Sequence, residues 1–333
     1  MQKFKPLILN QNTPSAQQTA PAGIWEFEKY RITKDTPITY NQAIISCNGE
    51  AVIKPGNICL LAGKQKAGKS HAVICMVSAA IKNKEILGFC GTGLADNEVT
   101  IYIDTEQADE QCKDNVLKIH ALTELAELNN YYYCLSELMP DEIKDFIDQL
   151  LINFIEVHKK KVRLLVIDGI ADLLTKGNND EEGSKRIAHW SKVIASKYNM
   201  GVILVLHENS KGGSEGKTAG HIGTYLEKKS YSYLSISYNK DENCHEIKCT
   251  HSRQKIKDVF GTIQFKYNKE THLPELVQHI KQIELWPSAQ EQLRDRLDRI
   301  AKYITDGLSA NEIMRKENIS QPTFSRLKKQ IED

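Results

Sequence analysis

The stretch that decides the fold is Ile58-Cys-Leu-Leu-Ala-Gly63-Lys64-Gln65-Lys66-Ala67-Gly68-Lys69-Ser70-His71. An apolar strand runs into a loop bounded by two glycines, and Ala72-Val-Ile-Cys-Met-Val77 continues as an apolar helix. This is GxxxxGK[ST] in the strand–loop–helix setting that its chemistry needs. Gly63 and Gly68 let the backbone curl so that its N–H groups point inward at phosphate oxygens, and the helix start adds a favourable dipole. Lys64, Gln65, Lys66 and Ala67 form the cradle between them. Lys69 is placed to reach the β- and γ-phosphates and the Ser70 hydroxyl to ligate Mg²⁺. The cofactors expected here are ATP and Mg²⁺.

On either side of this loop, short aliphatic runs alternate with helical patterns, the signature of a mostly parallel α/β sheet. Strands are expected at Ile58–Leu61, Thr100–Ile103, Arg163–Ile167 and Val202–Leu206, with helices at Ser70–Lys82, Ile143–His158 and Glu182–Tyr198. Three of these strands end in residues suited to phosphate chemistry, at the edge where open α/β sheets place their ligands. Arg163-Leu-Leu-Val-Ile-Asp168 delivers a carboxylate for the Mg²⁺ shell. Thr100-Ile-Tyr-Ile-Asp-Thr-Glu106 delivers Asp104 and Glu106, and Glu106 is the candidate base that polarises an attacking water. Gly201-Val-Ile-Leu-Val-Leu206 leads to His207, a candidate contact to the γ-phosphate. An ordinary surface side chain is the competing reading at Glu106 and at His207. Asp172 reads as a loop or helix-cap residue.

Taken together, GKQKAGKS, YIDTEQ, LLVIDGIADLL, VLHENSKGG and GHIGTYLEKKS resemble the RecA-like superfamily over residues 40–265. The resemblance is to the DnaB/RepA-type hexameric helicase ATPases, especially RepA-like ATPases of bacterial mobile elements. It implies a RecA-like P-loop core, Lys69 and Ser70 on phosphate and Mg²⁺, Glu106 as catalytic base, Asp168 on the metal and His207 as sensor. It also implies a homo-oligomeric ring in which a neighbouring subunit completes each site. The arginine of that neighbour matches Arg253, in Thr250-His251-Ser252-Arg253; a surface arginine at a strand end is the alternative. The loop Glu208–Lys217 (ENSKGGSEGK) corresponds to one that faces a central pore, where Lys211 and Lys217 would touch single-stranded DNA without reading sequence; a surface loop with no partner is the competing reading. The chain departs from the pattern at Ala219, where relatives often carry a basic residue, and at His251, where helicases commonly have lysine.

Composition sets the outer bounds. Lys+Arg 44 against Asp+Glu 43 leaves +1, so a nucleic acid must be met by a local patch. With 41% hydrophobic and 26% charged residues the 333-residue chain has an ordinary soluble composition. The longest apolar run, Ala72 to Ile81, stops at Lys82, short of a membrane span. Eight cysteines lying mostly in apolar patterns fit buried thiols in a reducing cytoplasm. Cys244-His245 and Cys249-Thr250-His251 form no recognisable zinc spacing. On an unbroken strand His245, Cys249 and His251 share one face and Cys244 takes the other.

Three parts follow: a flexible arm at 1–22, an α/β core at 23–286 and a helical module at 287–333. The core closes with antiparallel edge strands at Tyr231–Tyr238, His245–Thr250 and Gly261–Tyr267. In the module, Leu293, Leu297, Ile300 and Ile304 recur at helical spacing, Ser309-Ala-Asn-Glu312 opens a second helix, and Ser320-Gln-Pro-Thr a third. The punctuation resembles a helix-turn-helix. Five basic residues and one acidic lie between Arg315 and Lys329, and Gln321, Thr323, Ser325 and Arg326 are placed to face a duplex groove. A small helical cap or oligomerisation unit is the competing reading for 309–329. The function expected is an ATP-hydrolysing motor on DNA, a ring helicase or translocase serving a mobile element. The alternative is a DNA-binding regulator switched by ATP.

Overall fold

Among the described residues, six strands run in one direction through the central sheet: β3 (Ile58–Gly63), β6 (Glu98–Asp104), β7 (Asn130–Cys134), β8 (Lys161–Asp168), β9 (Gly201–His207) and β10 (Ser232–Asn239). A computed structural model describes residues 30–38, 41–177, 179–208, 220–253, 260–280, 289–317 and 319–332. Antiparallel strands β11 (Cys244–Ser252), β12 (Thr262–Tyr267) and β13 (Pro274–Ile280) extend one edge, giving the order β13-β12-β11-β10-β3-β9-β8-β6-β7. The strand expected as an antiparallel edge at Tyr231–Tyr238 is instead β10, interior and parallel to β3. The architecture is mixed α/β, a largely parallel sheet with antiparallel strands at one edge. By contacts the chain divides between Asn41 and Gln42. In the first unit the Thr36 hydroxyl accepts from the Thr33 N–H at 2.8 Å, closing a turn.

Strand alternation explains the two cores. Cys59, Leu61, Ile203 and Val205 face one layer, together with α1 (Lys69–Lys82) and Ile119 of α2 (Asp109–Thr123). Ile58, Leu60, Val202 and Leu204 face the other, under α3 (Pro140–Ile152), α4 (Glu181–Lys197) and α5 (Gly220–Lys229). Strands buried on both faces read as unbroken aliphatic runs, which is why they were legible. A smaller antiparallel sheet is formed by β1 (Ile45–Cys47), β2 (Glu50–Ile53), β4 (Glu85–Ile86) and β5 (Phe89–Gly91).

Each expected central strand runs further than its aliphatic run, to Gly63, Asp104, Asp168 and His207. Parallel register then sets Gly63 beside His207 and Asp104 beside Asp168. The helix expected to reach His158 stays α-helical only to Ile152 and continues as a π-helical turn at Asn153–Val157. A bulge corrects the face assignment on β11. Leu234 pairs with Cys249 but Tyr233 pairs with His251, so Thr250 has no counterpart. Cys249 therefore faces the α1 layer, while His251 turns to Tyr233, ring centroids 5.6 Å apart, on the opposite side.

The C-terminal helices are α6 (Ala289–Thr305), α7 (Ala310–Glu317) and α8 (Gln321–Glu332). They enclose their own small core of Ile300, Ile313, Phe324 and Leu327. Ile304, expected in the apolar stripe, is exposed, and Tyr303 packs instead. Glu312 accepts from both the N–H and the hydroxyl of Ser309, at 2.9 and 2.7 Å, which fixes the start of α7. Gln321, Ser325 and Arg326 are exposed and Thr323 is half-buried. Residues 1–22, the boundary near 287 and the Leu293 side chain lie outside the described residues. Among the described residues no helix is long and apolar enough to cross a membrane.

Candidate functional site

The strand tips and the α1 N-terminus converge on a cavity of about 580 Å³ that runs from Lys69 and Asp168 past His71 to Lys118 and Tyr267. Its floor is the loop between β3 and α1. A Cβ on Gly63 would collide with the Ile236 backbone, and one on Gly68 would come within 2.9 Å of His245 Nδ1. Gly68 also sits at φ +93°, a conformation that side chains other than glycine rarely adopt. Both glycines are thus required by close approach as well as by curvature. Lys64, Gln65 and Lys66 are exposed and Ala67 is buried.

Lys69 is the hub. Its ammonium donates to the carbonyls of Gly63 and Lys64, each at 3.1 Å, and to His207 Nδ1 at 2.9 Å. An ammonium only donates, so His207 Nδ1 accepts and the ring proton lies on Nε2, from which it donates to both Glu106 oxygens at 3.0 Å. Lys69, His207 and Glu106 thus form one chain of hydrogen bonds. Burial pushes the Lys69 pKa down, against the pull of the Asp168, Glu106 and Glu208 charges. The His207 hydrogen bond, helped by the Lys69 charge, holds Glu106 below the ordinary carboxylate range despite its burial. Glu106 is therefore ionised at neutral pH, as a base must be.

Asp168 is buried at the end of β8 and accepts from Ser70 Oγ at 3.0 Å and from Tyr102 OH at 2.7 Å. Burial, then the charge of Asp104, pushes its pKa up to about 6, while the Tyr102 and Ser70 hydrogen bonds oppose the rise. Asp104 is fully buried and heavily bonded. Its Oδ1 accepts from the N–H groups of Glu106 and Gln107, and its Oδ2 from Tyr132 OH and the Gln107 side chain. Tyr102 and Tyr132 stack with ring centroids 4.3 Å apart, so the two carboxylates rest on one aromatic pair. A hydroxyl and a carboxylate facing each other, with a second carboxylate on the next strand, make an oxygen donor set suited to Mg²⁺. The inward-curled loop and the buried ammonium suit a triphosphate.

Lys69, Ser70, Glu106, Asp168 and His207 lie together in this cavity. Arg253 is not among them. It follows Ser252, which pairs with Ser232, and Ser232 pairs with Cys59, so it lies at the end of the sheet away from Gly63. It is exposed, and its guanidinium donates to Lys229 O at 3.3 Å. Lys211, Lys217 and Ala219 lie outside the described residues. Asp172 lies within a 3₁₀ turn (Ile170–Leu173), where it accepts from Thr105 Oγ1 at 2.7 Å. Sequence reasoning missed Tyr102, Tyr132, Gln107 and His245. His245 donates from Nδ1 to Ala67 O at 2.7 Å and so props the phosphate loop from β11. The only available signal was position: Tyr102 stands between Ile101 and Ile103, two residues before the strand's acidic tip.

The sequence model of the AAA domain family AAA_25 matches residues 41–213, which include β3, β6, β8 and β9 with their chemical tips. The chain belongs to the AAA_25 family. This AAA_25 protein is thus a P-loop NTPase by family, and the loop Gly63–Ser70 falls inside the matched segment. Among solved structures, the KaiC-like protein of the hyperthermophilic archaeon Pyrococcus horikoshii OT3 is similar at 12% identity, over 72% of this chain and 99% of that one, with a TM-score of 0.45. No curated protein matches the chain.

Proposed function

We propose that the chain is an ATP-hydrolysing RecA-fold motor that acts on DNA as a homo-oligomeric ring, a helicase or translocase in replication or mobilisation of a bacterial mobile element. The observation that carries the ATPase reading is the Lys69–His207–Glu106 chain beside the Ser70–Asp168 pair. Ser70 and Asp168 would hold Mg²⁺, which supplies charge neutralisation at the phosphates. Lys69 leaves Gly63 O, Lys64 O and His207 Nδ1 for phosphate oxygens. His207 then loses its donor while keeping Glu106, so occupancy of the loop is felt at the base. Glu106 accepts the proton of an attacking water.

The DNA part rests on the resemblance and on the basic, exposed face of α8. Steady-state ATP turnover at low salt, with and without single-stranded and duplex DNA, tests it. Strong stimulation by single strands is expected. Turnover indifferent to DNA, or responsive to duplex alone, would move the assignment to an ATP-switched DNA-binding regulator. That second reading is favoured by the separate core of α6–α8 with Gln321, Ser325 and Arg326 exposed.

Arg253 acts in trans on this reading, because it is exposed and lies at the end of the sheet away from its own phosphate loop. Arg253→Ala is expected to lower turnover roughly 10³-fold, the size associated with an arginine finger. Mixing Arg253→Ala with Lys69→Ala protein should restore part of the rate, since wherever a Lys69→Ala subunit presents its arginine to the loop of an Arg253→Ala subunit that interface is intact. Absence of complementation in co-assembled rings removes the assignment.

A further inference from the structure

Behind the Glu106 loop, two thiols share one acceptor. Cys134, the last residue of β7, donates to Gln107 O at 3.1 Å, and Cys112, in the first turn of α2, reaches the same oxygen at 3.8 Å. The two thiols also interact with each other. Both are free; Cys112 is buried and Cys134 half-buried. Cys90 is the one other half-buried thiol, and it lies on β5 bonded to Glu85.

The shared oxygen belongs to the residue that ties the catalytic loop down. The Gln107 N–H and side chain both donate to Asp104, and its amide reaches Ser70 Oγ at 3.5 Å. Glu106 is one peptide bond away. A disulfide carries no S–H, so joining Cys112 to Cys134 takes both thiol donors from Gln107 O in a single event. It also draws the start of α2 and the tip of β7 toward each other across the loop.

We propose that Cys112 and Cys134 form a dithiol modification site: a low-molecular-weight disulfide, such as oxidised glutathione, links them and slows turnover by displacing the Glu106–Gln107 loop. The slowing rests on the ATPase reading above; the site itself does not. The half-exposed Cys134 attacks first as thiolate, forming a mixed disulfide and expelling one glutathione thiolate. Cys112 then attacks the Cys134 sulfur and expels the second. The protein thiols together lose two electrons and two protons, and the reagent gains them as two glutathione thiols. Burial, with the Asp104 charge, pushes the Cys112 thiol up, which leaves the half-exposed Cys134 as the first attacker.

The test treats the full chain with oxidised glutathione and follows three readouts: disulfide-linked peptides by mass spectrometry, free thiols, and ATP turnover. A Cys112–Cys134 peptide is expected, with loss of two of the eight free thiols. The kcat should fall about tenfold with little change in KM, as for a mispositioned base, and recover with dithiothreitol. Cys134→Ser should keep its own untreated rate in oxidant, and Cys112→Ser should stop at the Cys134–glutathione mixed disulfide without the Cys112–Cys134 peptide. Absence of the linked peptide overturns the site whether or not ATP is hydrolysed. A linked peptide without loss of rate in a hydrolysing protein overturns the effect on the loop. A protein that forms the linkage but never turns over ATP keeps the site and removes the ATPase reading.

Discussion

Glu106→Gln protein should bind ATP with close to the affinity of the parent and hydrolyse it at least about 10²-fold more slowly. The amide is nearly isosteric, and its oxygen can still accept from His207 Nε2, so the link from His207 to Lys69 survives. The contacts of Lys69 to Gly63 O and Lys64 O do not involve Glu106 at all. Binding, carried by the loop and the ammonium, is therefore spared. What disappears is the proton acceptor, because an amide cannot take a proton from water near neutral pH. Binding of a fluorescent ATP analogue and release of inorganic phosphate separate the two effects. Turnover within tenfold of the parent would mean that another group activates the water. Asp172 would then be the group to examine, since it is partly buried beside Thr105 and its pKa is raised by that burial and by the Glu106 charge.

Asp104, Asp168 and His207 were legible because each closes a buried parallel strand, and Glu106 because it follows Asp104 by two residues. A strand covered on both faces must be aliphatic throughout, so a charged or imidazole side chain at its end stands out. The loop Gly63–Ser70 was legible because glycine spacing there is dictated by phosphate geometry. The support beneath the site was not. Asn130-Tyr-Tyr-Tyr-Cys134 has neither an aliphatic run nor a clean alternation, and as the sheet's edge strand it is only partly buried. α2 follows a loop rich in acidic and amide residues, and its buried face, Cys112, Asn115, Ile119 and Thr123, is half polar, so the periodic signal was weak. Without β7 and α2, nothing in the sequence places Tyr132, Asn115 or Cys112 under Asp104 and Gln107. The face assignment on β11 failed for a different reason. A one-residue bulge at Thr250 reverses every later side chain, and no residue type at that position announces it.

Asp168→Asn should raise the thermal stability of the metal-free protein while lowering Mg²⁺-dependent turnover by about 10² or more. The carboxylate is buried next to Asp104, and its pKa rises from the ordinary 3.8 to about 6. Between those two values the folded protein holds a proton that the unfolded chain releases. Stability from this group is therefore present at low pH and lost as pH rises through about 6, leaving a buried charge at neutral pH. The size is on the order of 2 kcal/mol at pH 7.5, given 1.36 kcal/mol for each tenfold change in proton affinity and some relaxation around the site. Asparagine removes that charge and its repulsion with Asp104, and its carbonyl oxygen still accepts from Tyr102 and Ser70. In chelator the variant should melt about 4–8 °C higher than the parent at pH 7.5. The gap should close toward pH 5, where Asp168 is itself protonated. A variant that melts lower, or a gap that does not change with pH, would show that Asp168 is stabilised as an anion by its hydrogen bonds alone. With Mg²⁺ and nucleotide added, the ordering should reverse. The parent alone has a full negative charge to offer the metal, and ligand that binds only the folded state adds to stability by mass action. The same buried carboxylate that weakens the empty fold is thus what allows the loaded site to be tight.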